Sequence, residues 1–154
     1  YKGFIFFGLI KVQEEPYVIE YNVRMGDPES EAVLPRIKSD LLELLLSVSK
    51  DQLNNQQVII DNKESATVFL VSGGYPEQYE KNKEIFGLDK VSDSIVFHAG
   101  AKYEEGKVKT NGGRVIAITS MGATVKEALD KSYNSIKNIS FEKMNYRGDI
   151  GFDL

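Results

Sequence analysis

The sequence of 154 residues contains no cysteine, no tryptophan and a single histidine, His98. Without cysteine the chain forms neither disulfide bonds nor thiolate metal sites, and this composition is compatible with a reducing compartment. The sequence also lacks any apolar run close to the roughly 20 residues that are needed to cross a bilayer. We therefore expect a soluble, cytoplasmic protein without a membrane partner. His98 ends a predicted strand, which favours a structural or interface role over proton transfer.

An excess of charge of either sign is also missing. Lysine and arginine together number 19 and the acidic residues number 23, which gives a net charge of −4 at pH 7. Because the two signs are interspersed, the chain has no basic face for nucleic acid. The eight tyrosines and eight phenylalanines are more typical of a core than of a base-stacking surface. We expect no nucleic-acid partner.

The most informative pattern lies on a predicted β-hairpin with strands over 3–12 and 17–24. Because the side chains of a strand alternate between its faces, Glu20, Asn22 and Arg24 are expected on one face. The opposite face then carries the apolar side chains Tyr17, Ile19, Tyr21 and Val23. A carboxylate, an amide oxygen and a guanidinium in one row suit Mg²⁺ and the phosphate oxygens that it holds. Solvated residues on the wet face of an antiparallel sheet would give the same alternation.

The residues after the second strand favour a site over a solvated face. Gly26 permits a backbone turn, Asp27 can cap a helix, and Pro28 fits the first helical position, where its missing N–H is no loss. A short helix is predicted over 28–34. Its free N–H groups form an anion site beside the polar row, although Asp27 and Glu29 compete with or repel an anion there.

Two further segments define the predicted domain organisation. Leucine spacing predicts a core helix over 40–49 with Ser39 as its N-cap. The polar, amide-rich run 50–57 is the best candidate for a domain boundary. The sequence therefore predicts one domain over 1–50 and a second over 51–154.

The second predicted domain is mostly β and ends in a helix. Strand patterns occur at 66–72, 94–98 and 114–119, with weaker ones near 57–60 and 107–110. Thr124 and Glu127 form a capping box, which opens an amphipathic helix that should close the domain against its sheet. The predicted fold class is therefore α+β, with an antiparallel hairpin and helices followed by a small domain of barrel or sandwich-hybrid type.

Six segments of the sequence resemble the glycinamide ribonucleotide synthetase family, the phosphoribosylamine–glycine ligases, and occur in the family's order. They are Glu20–Glu29, Leu34–Leu41, Ser72–Pro76, Phe97–Gly100, Gly112–Val115 and Tyr146–Gly151. The resemblance implies that residues 1–50 are the end of an ATP-grasp domain and that residues 51–154 are the family's C-terminal domain. It also leads us to expect a C-terminal fragment, inactive alone, of an enzyme whose N-terminal and nucleotide-clasping regions lie upstream.

The resemblance also implies a reaction and a role for each residue of the site. The family joins glycine to 5-phosphoribosylamine through glycyl phosphate, with ATP as the phosphoryl donor, in purine biosynthesis. By resemblance, Glu20 and Asn22 hold Mg²⁺ or Mn²⁺, and Arg24 stabilises the transferred phosphoryl group. Arg24 and Gly26 are further assigned to ATP binding, and Asp27 to an amine of a substrate.

One position departs from the wider ATP-grasp pattern, in which the preceding strand often supplies a second carboxylate ligand. Gly8 lies near that position here, so the resemblance implies a weakly held metal that keeps water and ATP oxygens as ligands. Two alternatives stay open: a non-catalytic α+β binding or scaffold module, and an ATP-grasp ligase of another carboxylate and amine.

Overall fold

The chain forms two structural units in a computed structural model, Tyr1–Asp61 and Asn62–Leu154. The structure describes residues 1–26 and 28–152. The division falls after Asp61, and thus later than the predicted boundary after residue 50. The cause is local pairing: the Lys38 N–H donates to the Ile59 carbonyl at 2.8 Å, and the Asp61 N–H donates to the Arg36 carbonyl at 2.7 Å. The amide-rich run therefore lies inside the first unit.

The first unit begins with the predicted hairpin. Strand β1 (Phe6–Val12) pairs antiparallel with strand β2 (Glu15–Asn22). The two residues between them, Gln13 and Glu14, have φ angles of 50° and 69°. Positive φ at both central residues is the geometry of a type I′ turn, whose twist matches that of the flanking strands. Compared with the prediction, β1 begins three residues later and β2 ends two residues earlier. The turn between them contains two residues, whereas the predicted link contains four.

A β-bulge in β2 changes which side chains share a face. Gly8 lies opposite Glu20, whereas Leu9 lies opposite Val18, so that Ile19 is an extra residue without a partner in β1. Because β1 keeps its alternation, the extra residue exchanges the faces of β2 on its two sides. Tyr17, opposite Ile10, therefore shares the face of Glu20, and its predicted placement on the opposite face is wrong.

Apart from the half-buried Phe6, the large apolar side chains of β1 and β2 are exposed. Tyr21 packs edge-on against Phe7, with ring centroids 5.2 Å apart, yet it keeps 65% of its accessible surface. A two-stranded sheet has no second layer of its own to cover either face. The predicted core face of the hairpin is therefore not buried within the first unit.

Three short helical segments, the last over Leu53–Asn55, and one longer helix follow the hairpin among the described residues of the first unit. Helix α1 (Ser30–Val33) continues into a 3₁₀ turn over Leu34–Arg36, in which Pro35 is the second residue. Helix α2 spans Leu41–Ser49, close to the predicted 40–49.

The N-cap of α2 is Asp40, and the prediction of Ser39 is wrong. The Asp40 carboxylate accepts from the Glu43 N–H at 3.0 Å. The Ser39 hydroxyl instead accepts from the Ile59 N–H at 2.8 Å and donates to the Gln57 carbonyl at 3.1 Å. Ser39 therefore holds the segment 57–59 against the start of α2.

The described residues of the second unit form two antiparallel sheets, one α-helix and a 3₁₀ turn over Leu88–Lys90. A three-stranded sheet has the order β3-β7-β4, and β5 pairs with β6 in a separate ribbon. The strand bounds are Glu64–Val71 for β3, Ile95–His98 for β4, Ala101–Glu104 for β5, Lys107–Thr110 for β6 and Arg114–Gly122 for β7. Strand β5 has no counterpart among the predicted strands, and the weak strand predicted near 57–60 is reduced to one bridge between Ile37 and Ile60.

Helix α3 (Val125–Ile136) closes this unit against β3 and β7, as predicted. The Thr124 hydroxyl caps it by accepting from the Glu127 N–H at 3.2 Å. The core between helix and sheet is formed by fully buried aliphatic side chains, namely Val68, Leu70, Val115, Ile116, Ile118 and Ile136. No helix among the described residues is both long and apolar enough to cross a membrane.

A cluster of four serine hydroxyls lies at the same helix–sheet contact. Ser94 Oγ is 2.6 Å from Ser120 Oγ and 2.7 Å from Ser135 Oγ. Ser132 Oγ donates to Ser120 Oγ at 2.9 Å. Because Ser120, Ser132 and Ser135 are buried, these hydroxyls satisfy one another where water is largely excluded.

An ion-pair network joins two loops of the second unit. Glu80 accepts from Lys143 at 2.6 Å and pairs with Lys83 at 2.7 Å, and Lys83 also pairs with Glu142 at 2.9 Å. The hydrogen bonds from Lys143 and Lys83 lower the pKa of Glu80 from 4.5 to about 2. The network therefore connects the segment 80–83 to the segment 142–143.

Truncation of the central strand's core should destabilise the second unit. Ile118 is fully buried in β7, whereas Ile95 in β4 retains 43% of its accessible surface. Ile118→Ala should lower the free energy of unfolding by about 2–5 kcal/mol through lost burial and a cavity. Urea unfolding followed by circular dichroism measures this, with Ile95→Ala as the matched control. Equal losses in both variants would contradict the assigned core.

Replacement of Glu80 by glutamine should have an effect that depends on pH. Because the folded-state pKa of Glu80 is lowered from 4.5 to about 2, its stabilising contribution is present above pH 4.5 and is lost as the pH falls towards 2. Glu80→Gln should therefore lower Tm at neutral pH, and the difference from the wild type should narrow over that window. It should also narrow in concentrated salt, because these groups are exposed. Glu77→Gln serves as the control. A difference in Tm between Glu80→Gln and the wild type that is independent of pH would refute the ion pairs of Glu80.

Candidate functional site

The end of β2 brings the two predicted metal ligands into contact. Asn22 Nδ2 donates to Glu20 Oε1 at 3.0 Å. Glu20 is exposed and Asn22 is half-buried, so the carboxylate is accessible to a ligand. Arg24 lies two residues beyond the last residue of β2, where its Nη1 donates to the Met25 carbonyl at 3.0 Å. The structure therefore joins Glu20 to Asn22, and it directs Arg24 to the turn that follows.

Gly8 provides the space for the Glu20 side chain. The two residues are paired across the hairpin, and a Cβ atom on Gly8 would lie 2.9 Å from Glu20 Cγ. Such a distance is well below van der Waals contact, so any side chain at this position would displace Glu20. A carboxylate side chain at position 8 would therefore compete with Glu20 for this space.

The donor set fits a cation that is shared with a phosphate better than one held by protein alone. Among the described residues, no group of three or more His, Cys, Asp or Glu side chains could hold a metal ion. Glu20 and Asn22 can supply one carboxylate and one amide oxygen. Mg²⁺ commonly accepts so few protein ligands because it retains water and binds substrate phosphate.

The turn after the row is closed by Glu29. The Glu29 N–H donates to the Gly26 carbonyl at 3.1 Å, and the Gly26 N–H donates to Glu29 Oε2 at 3.1 Å. Gly26 is buried and both of its backbone polar groups are bonded to Glu29, which favours a turn-forming role for it over direct contact with ATP. Asp27, the predicted amine contact, lies outside the described residues.

The start of α1 differs from the prediction. Glu29 is the N-cap of this four-residue helix, so Pro28 precedes the N-cap and does not occupy the first helical position. The Glu29 carboxylate points back to Gly26, and this role was not recognised in the sequence. A glycine followed three residues later by glutamate is the signal that could have indicated it, because a carboxylate at that spacing can reach back to a backbone N–H.

A solved structure shares this fold. The chain matches the crystal structure of phosphoribosylamine–glycine ligase from Thermotoga maritima with a TM-score of 0.83 and 33% identity, over 94% of this chain and 36% of that one. The α+β architecture described above is thus one that occurs in a ligase. The predicted fold class is confirmed.

Residues 65–153 match the family model described as phosphoribosylglycinamide synthetase, C domain. The chain belongs to this family, and the predicted family is confirmed.

Related sequences extend the similarity to the first unit. The phosphoribosylamine–glycine ligase of Caldanaerobacter subterraneus subsp. tengcongensis is 42% identical over 150 residues, which cover 97% of this chain and 36% of the relative. That of Fusobacterium nucleatum is 44% identical over 153 residues, with the same coverage. A bifunctional purine biosynthetic protein of Schizosaccharomyces pombe is 43% identical over 150 residues, 19% of its length. The chain therefore spans about a third of the two bacterial ligases.

Replacement of Gly8 by alanine should move the Glu20 side chain. The new methyl group would lie 2.9 Å from Glu20 Cγ, so Glu20 should change rotamer and release the Asn22 amide. The side-chain amide signals of Asn22 in a ¹⁵N–¹H spectrum should shift accordingly. Gly148→Ala is the control, since a Cβ there meets no described atom within 4 Å. Unchanged Asn22 signals in Gly8→Ala would argue against the contact.

Proposed function

We propose that this chain acts as part of a phosphoribosylamine–glycine ligase, which joins glycine to 5-phosphoribosylamine and converts ATP to ADP and phosphate. The observation that carries the proposal is 42% and 44% identity to two such ligases over 97% of this chain. Because the chain spans 36% of those relatives, the proposal concerns a ligase polypeptide that contains it.

The proposed reaction has two steps. A carboxylate oxygen of glycine attacks the γ-phosphorus of ATP, the bond from that phosphorus to the bridging oxygen breaks, and ADP leaves. The amine nitrogen of phosphoribosylamine then attacks the carbonyl carbon of glycyl phosphate, phosphate leaves, and the nitrogen loses a proton to give the amide. Both steps depend on positioning and on neutralising phosphate charge, which are the main contributions a protein can make to phosphoryl transfer.

Glu20 and Asn22 are the proposed ligands of Mg²⁺ or Mn²⁺. The contact between their side chains at 3.0 Å supports this, because one ion could replace the hydrogen bond that joins them. Asn22 would then turn its amide so that Oδ1 faces the ion. The bound ion would neutralise the outer phosphates of ATP, and the Glu20 carboxylate would provide the anionic charge that holds it.

Arg24 is the proposed partner of the transferred phosphoryl group. Arg24 is exposed and its Nη1 donates to the Met25 carbonyl, which leaves further N–H groups of the guanidinium to face a phosphate. A planar guanidinium can donate two parallel hydrogen bonds to phosphate oxygens. Asp27 remains the predicted contact of a substrate amine, and Gly26 contributes to the site through its turn.

The metal role predicts a loss of catalysis when Glu20 becomes neutral. In the full-length ligase, Glu20→Gln should lower kcat by at least about 100-fold, since even residues that only support a metal ligand contribute 10- to 100-fold. The measurement is ADP formation that requires both glycine and phosphoribosylamine. Glu15→Gln is the matched control, because Glu15 is an exposed carboxylate on the same strand. A fully active Glu20→Gln enzyme would overturn the assignment.

A further inference from the structure

Glu29 occupies the N-cap of α1 without capping it. Its side chain makes no hydrogen bond to the N–H groups of the helix, although an N-cap side chain usually satisfies one of them. The carboxylate points back along the chain, and Oε2 accepts from the Gly26 N–H at 3.1 Å. The side chain therefore stabilises the turn before the helix and not the helix itself.

Gly26 is the residue that permits this arrangement. It is buried, and a Cβ atom at this position would overlap the carboxyl carbon and both carboxylate oxygens of Glu29. Any other residue would therefore expel the carboxylate from the Gly26 N–H. The absence of a side chain at Gly26 and the position of the Glu29 carboxylate are therefore sterically coupled.

Arg24 and Glu29 bind opposite ends of the same peptide group. The carbonyl of Met25 and the N–H of Gly26 belong to one planar unit. Arg24 Nη1 donates to that carbonyl at 3.0 Å, and Glu29 Oε2 accepts from that N–H at 3.1 Å. A carboxylate on the N–H polarises the peptide and makes its carbonyl a better acceptor for the guanidinium. The orientation of the plane thus sets the position of the carbonyl oxygen to which the guanidinium of Arg24 is bonded.

We propose that Glu29 is a positioning residue for Arg24, which it orients through the Met25–Gly26 peptide group. This inference rests on the proposed function, in which Arg24 faces the transferred phosphoryl group. Glu29 itself touches no substrate, and it acts by holding the peptide plane to which Arg24 is bonded. This role requires a hydrogen-bond acceptor at the length of a glutamate side chain. It does not require the negative charge of the carboxylate.

Three substitutions of Glu29 in the full-length ligase separate positioning from folding. Glu29→Gln keeps an acceptor oxygen at the same reach, so kcat should stay within about 3-fold of the wild type, whereas Glu29→Ala should lose about 10- to 100-fold, as is typical of residues that orient a ligand. Glu29→Asp keeps the charge and is a favourable N-cap, but it is one methylene too short and should lose as much as alanine. The loss in kcat should exceed any rise in the KM for ATP, because the proposed contact of Arg24 strengthens as charge develops on the transferred phosphoryl group.

A double-mutant cycle tests whether Glu29 acts through Arg24. If it does, Arg24→Ala with Glu29→Ala should be no slower than Arg24→Ala alone, because coupled residues are not additive. Glu31→Ala is the control, since Glu31 lies in the first turn of the same helix and should leave kcat unchanged. Thermal unfolding of each variant shows that the enzyme is folded.

The outcomes distinguish the two proposals. A fully active Arg24→Ala enzyme would overturn the role of Arg24 and, with it, the positioning by Glu29. An impaired Arg24→Ala enzyme, together with an active Glu29→Ala or an additive double mutant, would overturn the positioning alone and leave the proposed function in place. An active Glu29→Asp would also overturn the positioning. Rescue by glutamine, loss with aspartate and non-additivity together support it.

Discussion

The second unit depends on strand β7, since it is the one strand of the three-stranded sheet that is paired on both edges. It pairs with β3 and β4 and lies under α3, so its backbone must be bonded on two sides while its side chains fill the core. Five successive residues, 115–119, are completely buried, a pattern typical of a strand covered on both faces. This constraint explains why the middle of β7 is the apolar run Val115–Ile118, whereas the neighbouring strand β4 is short.

The first unit is governed by a local constraint, the fit between a glycine and a carboxylate. It occurs twice: Gly8 leaves room for the side chain of Glu20, and Gly26 leaves room for that of Glu29. In both places the missing Cβ lets an acidic side chain lie against the backbone. The positions of the Glu20 and Glu29 carboxylates therefore depend on the two glycines as well as on the acidic residues themselves.

The extent to which the sequence predicts these features depends on the range of the interactions. The helices α2 and α3 follow from the spacing of apolar residues along the chain, and the contact of Glu20 with Asn22 follows from their separation by two. The bulge at Ile19 does not follow from the sequence of β2, because it depends on the register of the partner strand β1. The choice of Asp40 over Ser39 as the N-cap depends on residues 57–59, which occupy the hydroxyl of Ser39. The back-pointing carboxylate of Glu29 does not follow from the sequence, because the predicted helix over 28–34 places Glu29 in its first turn, whereas α1 begins one residue after Glu29.

The four serine hydroxyls between α3 and the sheet have a consequence for specificity. Aliphatic side chains would tolerate a small slide or rotation of the helix, because their contacts have no direction. Ser132 and Ser135 of α3 must meet Ser120 and Ser94 at hydrogen-bond distance, and a displaced helix would leave buried hydroxyls without partners, at about 1–3 kcal/mol for each unsatisfied group. The serine cluster thus favours a single register of α3 on the sheet over registers that are shifted along it.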